Sequence, residues 1–132
     1  MANIAAYMQK AMLDWCLGGA SPTQPATRAL GLSLGVPTSV SMSEMTTGLG
    51  YTRQTAIFGA AASPAGSASN NAAVTFGPFN TALTISGIQL WDTILSLNSG
   101  NPLWSGTLTT ARTLASGDSL VIASGALTIS LA

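Results

Sequence analysis

The chain has 132 residues, and its four basic side chains (Lys10, Arg28, Arg53, Arg112) balance its four acidic ones (Asp14, Glu44, Asp92, Asp118) to a net charge of zero. Charged residues make up 6% of the sequence, against about 25% in an ordinary soluble domain, so serine, threonine, asparagine and glycine stand where charges usually do. A nucleic-acid binder is excluded for want of a basic patch, and the absence of histidine removes most acid–base, metal and triad chemistry.

The first element is "NIAAYMQKAMLDWCLGG", a helix expected to be capped by Asn3 and stopped by Gly18-Gly19. Ile4, Met8, Met12 and Trp15 recur at helical spacing as one apolar stripe, with Lys10 and Asp14 four apart on another face. The N-terminus lacks a basic start, and two charges interrupt its apolar stretch, so it reads as part of the working protein and not as a signal peptide. The stripe either packs on the same chain or docks on a neighbour. A turn-rich linker, "ASPTQPAT", follows.

Strand patterns then take over. "TRALGLSL" puts Leu30, Leu32 and Leu34 on one face. Within it, "GLSLG" matches the G-x-S-x-G pattern of a hydrolase nucleophile elbow. Ser33 falls on the opposite face, no helix follows, and no histidine exists to take its proton, so Ser33 reads as a strand residue. The next segment, "GVPTSVSMSEMTTGLG", is a loop whose Met42 and Met45 either mould to a partner surface or pack over the chain's own core. Further strands are "YTRQTAIF", "AAVTF", "LTISGIQLW", "LWSGTLT", "SLVIA" and "GALTISL". A long small-residue connection, "GAAASPAGSASNN", and the turns "GPFN", "SLNSGNP" and "ASGD" separate them. In "LTISGIQLW" the apolar face switches at Gly87, which suggests a bulge. Short strands at close intervals predict a mainly β fold, an antiparallel β-sandwich or jelly roll, with one short N-terminal α-helix. The expected division is a helical arm over 1–19 and a β-sandwich domain over 27–132. Nothing is long and apolar enough to span a membrane.

No cofactor or metal site is expected. Asp92 and Asp118 sit at turns, where aspartates accept backbone N–H groups, and "DTILSLNSGN" is a weak calcium loop. Arg53 is best read as half of an ion pair. Cys16 has no second cysteine to pair with and reads as a packed thiol. Trp15, Trp91 and Trp104 could stack on sugars but fit core positions better. The low charge favours association with other subunits, the alternative being a secreted Ser/Thr-rich domain that tolerates it.

Gly50 through Gln54, Asn71 through Phe76, Gly87 through Asp92, Gly100 through Leu108 and Gly117 through Leu131 together resemble a family of small tailed-bacteriophage virion proteins, described as tail-fibre or head-decoration proteins. Residues 36–49 depart from it: the family carries an acidic, glycine-rich loop there, and this chain keeps only Glu44. The resemblance implies a non-enzymatic virion protein, made in the bacterial host cytoplasm. The leading expectation is a capsid decoration (cement) protein on the outer surface of the head. It would bridge major capsid proteins and pair with copies of itself, as a homotrimer by analogy with other decoration proteins. The alternatives are a tail-fibre or tail-tip adaptor subunit and a receptor-binding β-sandwich. The expected partner contacts are Ile4, Met8, Met12, Met42 and Met45.

Overall fold

The strand patterns around residues 29–33, 83–91 and 103–109 form the centre of the main sheet. The computed structural model describes residues 2–64, 66–95 and 99–131. In chain order the elements are β1 (Ala2–Ile4), α1 (Ala6–Cys16), β2 (Ala29–Ser33), β3 (Gln54–Thr55), β4 (Ser67–Ser69), β5 (Val74–Phe76), β6 (Leu83–Trp91), β7 (Pro102–Leu114), β8 (Leu120–Ile122) and β9 (Thr128–Ser130). A 3-10 turn covers Thr47–Leu49. The fold is mainly β with one short helix, as the sequence predicts, and every strand pairing is antiparallel.

Five strands form one sheet in the order β1-β7-β6-β2-β3, while β4 pairs with β9 and β5 with β8 as two-stranded ribbons. Isolated two-stranded ribbons are marginal in water, so both depend on apolar contacts made elsewhere. The core supplies them. Leu30, Leu32, Leu83, Ile85 and Leu90 of the sheet meet Val74, Phe76 and Ile122 of the β5–β8 ribbon, with Phe79 and Tyr51 between. Leu127 and Ile129 bring the β4–β9 ribbon against the same cluster. Buried Asn70 joins this ribbon to the loop before β9. Its Nδ2 donates to the carbonyls of Ala72 and Ala123, and its Oδ1 accepts from Leu127 N.

Two expectations at the N-terminus are corrected. Asn3 does not cap the helix. It lies in β1 opposite Ser105, and Ala5, with no side-chain cap bond, precedes the first helical residue. Ile4, placed on the helical stripe by its spacing, is likewise a strand residue, opposite Trp104. The reason is non-local: the exposed edge of β7 takes three residues of chain before the helix begins. At the other end the prediction holds. Gly18, at φ +86°, adopts the left-handed conformation that ends a helix.

The switch in β6 is also real, but the surplus residues are on its neighbour. Ile85 pairs with Arg112 and Gly87 with Thr107, so β7 advances five residues while β6 advances two. Gly87 has a separate constraint, since a Cβ there would stand 2.6 Å from Pro37 Cδ and from Ser33 Oγ. The predicted strand over 51–58 shrinks to Gln54–Thr55, and β4 lies within the predicted 59–71 connection. The turn expected over 96–102 falls partly outside the described residues. No helix among the described residues is long and apolar enough to cross a membrane.

Candidate functional site

The most elaborate polar arrangement lies along the outer edge of β2. Because β3 is two residues long and pairs only with Ala29 and Leu30, the next edge groups of β2 need other partners. Leu32 N donates to the Tyr51 hydroxyl at 3.2 Å, and Met45 N donates to Leu32 O at 2.9 Å. The Tyr51 hydroxyl in turn donates to Glu44 Oε1 at 2.8 Å. Arg53 meets the same carboxylate with two prongs, Nε to Oε1 at 2.7 Å and Nη2 to Oε2 at 2.6 Å. Its Nη1 reaches the carbonyls of Thr93 and Ser99, and its Cζ lies 3.7 Å from the Trp91 ring centroid. The guanidinium is thus buried against a carboxylate, two carbonyls and an aromatic face, the environment that suits arginine and not lysine.

Neighbouring groups complete the cluster. Trp91 Nε1 donates to Gln89 Oε1 at 2.9 Å, and Gln89 Nε2 donates to Met42 O. Gly31 leaves room for it: a Cβ there would sit 2.8 Å from the Tyr51 hydroxyl oxygen and 3.2 Å from Trp91 Nε1. Burial raises the Tyr51 pKa well above the usual phenol range, and its hydrogen bond to Glu44 raises it further. The phenol is therefore held protonated as a donor. Donors and acceptors of the cluster are spent on one another, so it ties residues 42–53 and the backbone of Thr93 and Ser99 to the edge of β2.

The remaining candidates resolve simply. Ser33 is fully buried, and its Oγ makes no hydrogen bond among the described residues, so it has neither a base nor a path to substrate. Asp92 accepts from Asn101 N and Nδ2, and Asp118 accepts from Ala115 N, the turn-capping role read from the sequence. Cys16 was expected to be packed and is instead exposed on the helix. No group of three or more metal-ligating side chains is found among the described residues. Lys10 and Asp14 form an exposed i,i+4 pair on α1.

The five expected contact residues separate into two groups. Met45 is fully buried in the main core, and Met42 is buried with Ala5 and Trp91, so this segment packs over its own chain and presents neither side chain to a partner. Ile4, Met8 and Met12 are half-buried, and Met8 packs on the main core. What the sequence reading missed lies farther along the helix. No residue of α1 is fully buried, and its C-terminal part exposes Leu13, Trp15 (64% exposed) and, just beyond, Leu17 (81%). Tyr7 is half-exposed, and Leu34, Val36 and Val40 are exposed in the loop whose Ser39 carbonyl accepts from Ala6 N.

A mainly β chain with a buried, mutually hydrogen-bonded Glu44–Tyr51–Arg53 cluster and uncovered apolar side chains has the build of a structural subunit. It belongs to the family described as Podophage GP4 fiber I protein gp80, whose model matches residues 3–130. The chain is thus a phage virion structural protein of a fibre family, and this description favours the tail-fibre alternative over the capsid-decoration reading. No curated protein sequence matches it.

Proposed function

We propose that this chain is a non-enzymatic subunit of a tail fibre, held in the virion by apolar contacts with other fibre subunits. The observation that carries this reading is the fibre-family match over residues 3–130. The surface supports it. Large apolar side chains are exposed on α1 and on the 34–40 loop, in a chain whose charged fraction is 6%. A protein working alone in water keeps such patches small, and a subunit covers them with its neighbours. On this reading the partner is another fibre component in place of the major capsid protein.

Gold-labelled antibody against the chain, imaged on purified virions by electron microscopy, tests the proposal. Label on the tail fibres is expected. Label spread over the head shell would return the protein to a decoration role and overturn the reading.

A further inference from the structure

We propose that β1 and α1 form an exchangeable arm. In the assembled fibre, the arm of one copy fills on a neighbouring copy the seat that it fills on its own body in this structure. This rests on the fibre reading and names the partner it leaves open: a second copy of this chain.

The seat is complete, and its occupant is the arm itself. β1 adds to the edge of β7 with Asn3 opposite Ser105 and Ile4 opposite Trp104. Ala5 N donates to Leu103 O at 3.0 Å, and Ala6 N donates to Ser39 O at 2.9 Å. Ala5 is fully buried in a cluster with Met42 and Trp91, and Met8 packs on the main core. The arm is thus gripped near its N-terminal end. Farther along the grip fails: no residue of α1 is fully buried, and Leu13, Trp15 and Leu17 are exposed.

The tether does not dictate whose seat is filled. From Leu17 to Thr27 the chain carries no charge, and every residue from Leu17 to Gln24 is exposed. No hydrogen bond among the described residues holds any residue from Ala20 to Thr27. Pro22 and Pro25 favour an extended course. Extended, residues 17–28 reach about 40 Å, while a compact chain of this length is roughly 35 Å across. The tether is therefore long enough to deliver the arm to an adjacent body.

Exchange keeps every contact of the seat and changes only which body the tether leads to. A flexible tether gives its arm an effective concentration on the order of mM. Packed copies in a fibre compete at that level, and copies in dilute solution do not. The uncovered end of α1 tips the balance. After exchange the chain leaves Leu17 toward its own body, so Leu13, Trp15 and Leu17 lie at the junction of two copies instead of in water.

Disulfide trapping in virions tests this. Asn3→Cys and Ser105→Cys are placed in a Cys16→Ser background, which removes the chain's own exposed cysteine. Opposite residues of an antiparallel pair lie about 4.5–5.5 Å apart at Cα, within disulfide range. With both changes in one chain, oxidised virions run on a non-reducing gel should give cross-linked dimers or larger species that reduction collapses to monomer. The same chain oxidised free in dilute solution should give the intrachain-linked monomer, which marks the unexchanged form. That monomer as the sole cross-linked species from virions would overturn the proposal. A second experiment assembles virions from a mixture of chains carrying Asn3→Cys alone and Ser105→Cys alone. Ser105 is buried under the arm's strand, so a mixed disulfide between the two chains forms only if an arm has crossed from one to the other. Mass spectrometry should find that mixed pair, and its absence would likewise overturn the exchange. The gold label reports where the chain sits and the gel reports whose arm fills the seat. Label on tails with intrachain links alone sinks the exchange and leaves the fibre reading standing.

Discussion

Glu44 is the residue on which the polar core turns, since its two oxygens serve Arg53 and Tyr51 together. Glu44→Gln leaves a buried guanidinium without its counter-charge. It should cost about 3–5 kcal/mol in denaturant unfolding, a large share of the stability of a domain this size. The double variant Glu44→Gln/Arg53→Met should recover part of that loss, because no charge is then stranded. Tyr51→Phe orphans Leu32 N and should cost about 1–3 kcal/mol at neutral pH. Its pH dependence has a definite sign. The folded chain keeps a phenolic proton that the unfolded chain releases near pH 10, so the Tyr51 contribution is complete below about pH 10 and is lost as pH rises beyond it. Unfolding measured from about pH 9 to 12 should therefore fall less steeply in Tyr51→Phe than in the parent protein. A chain with so few charges already hinted that Arg53 has a buried partner. That the partner is Glu44, nine residues earlier, was not legible, because it depends on a loop folding back along β2.

The elements divide by how local their determinants are. Strand β6, the first half of β7 (103–109) and the leucine face of β2 were legible in local alternation; the extension of β7 through 110–114, paired with 83–85 of β6, was not. The three-residue β1 was not: its partners are residues 104–106, about a hundred positions away, and Ile4 also fits the helical stripe. The strand pattern over 51–58 misled for a related reason, as Tyr51 and Arg53 spend their side chains on Glu44 and on the edge of β2 while little backbone pairing forms. At α1 the stripe was legible but its division was not. Met8→Ala should cost about 1–2 kcal/mol, since that side chain packs on the core. Leu13→Glu and Leu17→Lys should each change stability by less than about 0.5 kcal/mol, because both side chains are exposed. Thermal or denaturant unfolding of the three variants separates the packed part of the helix from the part left for a neighbour.

At the scale of the molecule, a hydrogen-bonded polar cluster inside stands beside uncovered apolar side chains outside. The buried cluster of Glu44, Tyr51 and Arg53 ties residues 44–53 to the edge of β2, and Leu13, Trp15 and Leu17 leave apolar surface exposed. Composition alone pointed to association, but it carries nothing that separates a shell subunit from a fibre subunit. The choice came from the family match over residues 3–130. The most direct measurement is to separate virions into heads and tails and quantify this chain in each fraction by mass spectrometry. The account predicts that the chain travels with the tails. Recovery with the heads, in numbers matching the repeated shell subunits, would contradict it.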